Sequence, residues 1–176
     1  MNRALLVRRP RPSRHGTPVA VEVLVCGSPD RGDDGAPMAV MGRVREQLPA
    51  DVTMRAVGML EVDDLLAVPH GAGVVIVDAA TGIDPGAIVD LALNGLIGRS
   101  DGIHPRSSHA LALPEVVGLA EMLRGRPLCG RIVAIGGVHF SLGSPFSRPV
   151  NAALEPLSEA IVQAVATVRP SSPNPS

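Results

Sequence analysis

The segment GVVIVDA at residues 73–79 constrains the fold most strongly, because it is apolar at almost every position and rich in β-branched residues. A strand with one face in solvent alternates apolar and polar residues, whereas a strand covered on both faces is apolar throughout. The segment therefore predicts a central strand of a parallel sheet, with other elements packed on both of its faces.

Segments with strand-like and helix-like spacing alternate along the rest of the chain. Further strand patterns occupy 21–27, 52–58 and 131–137, and apolar residues at helical spacing occupy 37–48, 60–68, 114–125 and 149–168. Residues 87–93 alternate in polarity and predict a strand that closes a hairpin-like return. This order predicts an α/β fold, a three-layer sandwich with a mostly parallel central sheet of about five strands flanked by helices.

The length of 176 residues suits one domain, which we expect to span 19–168. Residues 1–18 carry an Arg-Arg pair but no apolar segment after it, and residues 169–176 are rich in Pro and Ser, so both ends are expected to be disordered. Apolar runs stay shorter than the ~18 residues of a membrane helix. We expect a cytoplasmic protein whose two cysteines, Cys26 and Cys129, are buried free thiols.

The composition argues against several classes of partner. A formal net charge of -1 gives no general surface for nucleic acid, and a chain with no Trp, no Tyr and two Phe has few rings on which bases could stack. The chain also lacks Lys, and therefore the GxxxxGK[ST] phosphate loop. Neither nucleic acid nor a membrane is expected as a partner.

Acidic residues gather where two of the predicted strands end. CGSPDRGDDG at 26–35 follows the first strand and carries Asp33 and Asp34, and Asp78 ends the segment GVVIVD. The carboxyl ends of parallel strands meet at one edge of the sheet, where functional residues collect. His109, in a loop just before a predicted helix, can reach the same edge. Two carboxylates and an imidazole fit a divalent transition metal, or acid–base chemistry on a peptide or ester.

Each of these residues also has a structural explanation. Asp33 could cap the helix that begins near Pro37, and Asp78 could be a turn residue at a strand end. His109 could be an ordinary polar loop residue. The Gly-rich stretch 136–147 is long for a plain connection, which hints at a binding loop in which His139 could be a further ligand.

Three segments in this order resemble the motifs of the hydrogenase maturation proteases, small α/β endopeptidases that trim the large subunit of nickel–iron hydrogenases. They are GSPDRGDDG at 27–35, VIVDAATGIDPG at 75–86 and SSHALALPEVVGLAEML at 107–123. Their order and separations match that family across roughly 21–168. The chain departs from the family pattern at Ser28, Asp30, Pro37 and the segment 56–61.

The resemblance implies an aspartic-type, nickel-dependent endopeptidase that removes the C-terminal extension of a nickel–iron hydrogenase large-subunit precursor after nickel insertion. The nickel would be supplied by that precursor. By position in the motifs, the resemblance assigns metal binding to Asp34, Asp78 and His109, catalysis to Asp34 and Asp78, and substrate binding to Gly32, Asp33 and Ser108.

Two other functions stay open at this point. One is a related hydrolase with the same sandwich and a different substrate. The other is a metal-sensing module that binds the nickel-loaded precursor without cutting it. Cleavage of the precursor distinguishes the protease from both.

Overall fold

The computed structural model of the chain describes residues 19–96 and 112–169, and the backbone of 104–105. Within these residues the strands are β1 Val21–Cys26, β2 Val52–Gly58, β3 Gly73–Thr81, β4 Ile88–Ala92, β5 His104–Pro105 and β6 Gly130–Gly136. The α-helices are α1 Ala36–Gln47, α2 Val62–Ala67, α3 Leu113–Arg124, α4 Arg148–Ala152 and α5 Leu154–Val168. None of the helices described has the length and apolar character needed to cross a membrane.

The strands form one sheet in the order β2-β1-β3-β6-β4, with β5 paired to the end of β3. Strands β2, β1, β3 and β6 are parallel to their neighbours, and β4 is antiparallel to β6. The predicted mostly parallel sheet is confirmed. The predicted hairpin-like return of 87–93 is wrong, because β6 already occupies that edge of β3 and β4 pairs with the outer edge of β6.

Helices cover both faces of the sheet, which confirms the three-layer sandwich. On one face α1 and α5 pack over Val75 and Val77, and on the other α2 and α3 pack over Val74 and Ile76. These four side chains of β3 are at most 1% exposed. Burying a side chain of this size stabilises the fold by about 1.5–3 kcal/mol relative to leaving it in water. The two-sided burial predicted from GVVIVDA is thus the centre of the core.

Several local predictions differ from the structure. The helix predicted over 149–168 is divided into α4 and α5 at Ala153, whose φ of -96° and ψ of 0° interrupt the helical path. Cys26 is buried as predicted, but Cys129, just before β6, is exposed. The strand β5 lies between the predicted strand 87–93 and the predicted helix 114–125, where the sequence predicts no strand.

The short strand β5 extends the sheet beyond the end of β1. Pro105 pairs with Ala80 and His104 pairs with Thr81, both antiparallel. On its other edge Ala80 pairs with Gly136 of β6, so β5 lies on the β1 side of β3. The chain therefore passes the carboxyl edge of the sheet shortly before residues 106–111, which lie outside the described part of the chain.

An arginine at the end of α3 joins the two helices of one layer. The Nη1 atom of Arg124 donates to the carbonyl oxygens of Leu65 at 2.9 Å, Leu66 at 3.2 Å and Val68 at 2.9 Å. Carbonyls at the end of a helix have no partner within that helix and carry a partial negative charge. The Arg124 guanidinium thus satisfies three carbonyls at the carboxyl end of α2, where Arg55 also donates to the carbonyl of Asp64.

Replacing the Arg124 guanidinium should destabilise the packing of α3 against α2. We expect Arg124→Met to lower the free energy of unfolding by about 1–3 kcal/mol, because it leaves half-buried carbonyls without a charged donor. Chemical denaturation measures the change. Arg126→Met is the control, since Arg126 is exposed near the same helix end. Equal stability of the two variants would contradict this account of Arg124.

Candidate functional site

Asp34 lies at the carboxyl edge of the sheet, in a 3-10 turn over Gly32–Gly35 that follows β1. The turn is folded back closely on the chain. Gly27 has a φ of +103°, and a Cβ atom there would be 2.0 Å from the carbonyl oxygen of Asp34, so only glycine fits. The backbone N–H of Ser28 donates to Asp34 Oδ2 at 3.0 Å. The sequence GSPDRGDDG thereby fixes the position of the Asp34 carboxylate.

Asp78 lies beside this turn, near the end of β3. Val25 of β1 pairs with Val77 of β3, so the next residues, Cys26 and Asp78, are neighbours across the two strands. Because side chains alternate along a strand, Asp78 points to the same face as Ile76, the face covered by α2 and α3. Its Oδ1 atom accepts a hydrogen bond of 2.8 Å from the backbone N–H of Ala79.

The two carboxylates interact electrostatically. Burial is the main cause that raises the pKa of Asp78 to about 7; the Ala79 N–H opposes the shift, and the charge of Asp34 contributes to it. Burial also raises the pKa of the Cys26 thiol, and the charges of Asp78, Asp64 and Asp34 act in the same direction. The structure therefore places Asp34 and Asp78 at the same edge of the sheet as the buried Cys26 thiol, as their positions after β1 and within β3 predicted.

Such a pair can perform two kinds of chemistry. A carboxyl group whose pKa lies near neutrality can take a proton from water and return it, and two adjacent carboxylates can hold a divalent cation. Three or more His, Cys, Asp or Glu side chains arranged for a metal do not occur within 19–96 and 112–169. His109 and Ser108 lie outside the described residues, so their predicted roles stay predictions.

Asp33 has a different position from its neighbour Asp34. It is 0% exposed, and its carboxylate accepts hydrogen bonds from the backbone N–H groups of Val138, His139 and Ser147 at 2.6–2.9 Å. Burial would raise the pKa of Asp33, but these three bonds outweigh it and hold the pKa below its usual value. The cap hypothesis for Asp33 is wrong, because α1 has no side-chain cap.

Gly32 is buried as well, and its predicted role in substrate binding stays a prediction. Its φ is +58°, and a Cβ atom there would be 2.5 Å from the carbonyl oxygen of His139. The predicted role of Asp33 in substrate binding also stays a prediction, and its oxygens are directed to backbone donors inside the protein. The sequence analysis did not predict that the Gly-rich stretch 136–147 contacts Gly32 and Asp33. The length of that loop was the only signal.

No protein-family model and no curated protein matches this chain. Several solved structures, in contrast, match most of the chain. The hydrogenase maturating endopeptidase HybD from E. coli is 20% identical with a TM-score of 0.66, over 84% of this chain and 92% of that chain. HycI, a [NiFe] hydrogenase maturation protease from Thermococcus kodakarensis KOD1, is 22% identical with a TM-score of 0.62, over 84% and 93%. A hydrogenase 3 maturation protease is 18% identical with a TM-score of 0.62, over 81% and 89%.

The fold and the acidic pair define an α/β sandwich protein with a candidate catalytic edge. More narrowly, the chain has the fold of the solved hydrogenase maturation endopeptidases, over most of its own length and most of theirs.

The raised pKa of Asp78 makes stability depend on pH. The folded protein binds the Asp78 proton more tightly than the unfolded chain does, so Asp78 destabilises the fold increasingly as pH rises from about 4 to about 7. Asp78→Asn removes the charge and should raise the free energy of unfolding at pH 8, by at most about 4 kcal/mol, with little effect at pH 4. Urea denaturation at several pH values measures this.

Asp63→Asn is the matched control, because Asp63 is exposed to solvent. If the difference between Asp78→Asn and the unaltered protein is the same at pH 4 and pH 8, the Asp78 carboxyl does not titrate as described.

Proposed function

We propose that this protein is an endopeptidase that removes the C-terminal extension of a nickel–iron hydrogenase large-subunit precursor. The observation that carries the proposal is the meeting of Asp34 and Asp78 at the carboxyl edge of a sheet with the fold of the maturation endopeptidases. Fold alone does not determine activity, so the proposal depends on the chemistry of this pair.

Asp78 is suited to be the general base. A base works best when its pKa is close to the working pH, and burial brings the pKa of Asp78 to about 7. Its Oδ1 atom is held by the Ala79 N–H, which orients the carboxyl group. Asp34, fixed by Ser28, supplies the negative charge that contributes to raising the pKa of Asp78.

The same two carboxylates suit a divalent cation that arrives with the substrate. Carboxylate oxygens accept nickel, and imidazole is a favoured ligand for it, so the chemistry of Asp34, Asp78 and His109 suits a nickel ion. His109 follows Pro105 by four residues, a reach of about 14 Å at full extension. Pro105 is paired with Ala80, two residues beyond Asp78. Nickel in the precursor would polarise the scissile carbonyl or lower the pKa of a water molecule.

The first experiment uses the cognate large-subunit precursor, prepared with and without nickel and mixed with the full chain. We expect a C-terminal peptide to be lost from the nickel-loaded precursor only. Asp34→Asn and Asp78→Asn should each abolish the mass change while the circular dichroism spectrum is retained, and His109→Ala should reduce it strongly. Asp63→Asn should cleave normally.

The alternatives give different results in the same experiment. Binding of nickel-loaded precursor without any mass change would indicate a metal-sensing module. If neither binding nor cleavage occurs, the substrate is another one, in line with the departures at Ser28, Pro37 and 56–61. Full activity of both Asp34→Asn and Asp78→Asn would contradict the assignment of the pair.

The pH dependence of cleavage tests the base separately. The value of kcat/KM reports ionisations of the free enzyme, so it should rise with pH and level off above a midpoint near the Asp78 pKa of about 7. Activity is lost as pH falls because the protonated carboxyl cannot accept a proton. A midpoint close to that of an ordinary aspartate, about 4, would exclude Asp78 as the base.

A further inference from the structure

Two loops at the carboxyl edge are bonded to each other through one buried side chain. The first is the acidic loop, residues 27–35, and the second is the β6–α4 loop, residues 137–147. They are more than 100 residues apart in sequence, and Asp33 of the acidic loop accepts its three hydrogen bonds from the β6–α4 loop. Asp33 takes part in none of the ion pairs found among the described residues, and backbone N–H groups of the β6–α4 loop stabilise its charge.

The two loops pack closely against each other, and a larger side chain would not fit between them. The backbone N–H of Asp33 donates to the carbonyl of His139 at 2.7 Å, and the N–H of Gly143 donates to the carbonyl of Asp30 at 2.7 Å. A Cβ atom on Gly137 would be 2.9 Å from Asp33 Cβ and 2.7 Å from the ring of Phe140. Phe140 is 5% exposed and belongs to the core under α1 and α5. Through this loop, Asp33 is tied to the core.

Asp34 follows Asp33 directly, so the same bonds determine where Asp34 can lie. We propose that Asp33 is a positioning residue, which joins the β6–α4 loop to the acidic loop and thereby holds Asp34 beside Asp78. This inference rests on the proposed function for its effect on catalysis. The positioning itself is independent of that function, because it concerns only bonds within the chain.

An amide cannot replace the carboxylate at this position. The backbone N–H groups of Val138 and His139 donate to Asp33 Oδ2, and that of Ser147 donates to Asp33 Oδ1. An asparagine has one acceptor oxygen, and in either orientation its NH₂ group faces at least one of these N–H groups. Asp33→Asn therefore breaks the junction with almost no change in side-chain volume.

Hydrogen exchange of single amides tests the positioning without any substrate. In Asp33→Asn, exchange at Val138, His139 and Ser147 should accelerate about tenfold or more, while amides of β3 keep their protection. The amide of Ser28 should accelerate as well, because it donates to Asp34 and reports the position of that carboxylate. Asp30→Asn is the control, since Asp30 is exposed in the same loop. None of these amides should change in it.

Kinetics of precursor cleavage give the second readout. A displacement of Asp34 affects the reacting geometry more than binding, so kcat should fall on the order of 10²-fold with KM little changed. Should Asp33→Asn fail to fold, Ser147→Pro is the second variant. It removes one donor, keeps the carboxylate, and suits the φ of -62° at Ser147. Its effects should appear at the amides of Val138, His139 and Ser28, since proline has no N–H at position 147.

The outcomes separate the two proposals. Faster exchange in the β6–α4 loop with an unchanged Ser28 amide would overturn the positioning of Asp34, and so would a normal kcat in the variants. An overall loss of stability in which β3 amides accelerate equally would also overturn it, since Asp33 would then be only structural. If the unaltered protein does not cleave the precursor but Ser28 responds as expected, the proposed function fails and the positioning stands.

Discussion

The two-sided burial of β3 is the constraint on which the rest of the structure depends. Because Val74, Val75, Ile76 and Val77 leave no polar side chain along the strand, helices must cover both faces, and connections between parallel strands must cross over the sheet. In β3 the polar side chains are then confined to the end of the strand. Asp78 is the first such residue of β3, and the turn after β1 brings Asp34 to the same place.

A comparison of Asp33 with Asp78 shows that burial alone does not determine whether the pKa of a carboxyl group is raised or lowered. Asp33 is completely buried, yet three backbone donors hold its pKa below the usual range. Asp78 has one backbone donor and a nearby negative charge, and burial raises its pKa to about 7. The number and charge of the groups around each oxygen decide the direction of the shift. Asp33 is thus held in its charged form as part of the structure, whereas Asp78 can exchange a proton near neutral pH.

The parts of this arrangement that depend on local pattern could be predicted from the sequence. The β-branched segment indicates β3, and the rule that strand ends share an edge indicates Asp34 and Asp78. Partners distant in sequence leave no such pattern. Nothing in 87–93 tells that β4 pairs with β6 rather than β3, and nothing in GDDG tells which aspartate faces inward. The donors to Asp33 lie 105 to 114 residues further along the chain.

The chain shares its fold with the solved endopeptidases at only about 20% identity, so most side chains differ between them. The kind of donor that Asp33 uses helps to explain how a fold tolerates such change. Donors to Asp33 are backbone N–H groups, which almost any residue supplies, so the β6–α4 loop can change its side chains without losing the junction. The same is not true of the acidic loop. Gly27 and Gly32 allow approaches of 2.0 and 2.5 Å that a Cβ atom would prevent, and the carboxylates have no backbone substitute. Sequence identity can therefore fall across the domain while the geometry around Asp34 is kept by a few residues of one loop.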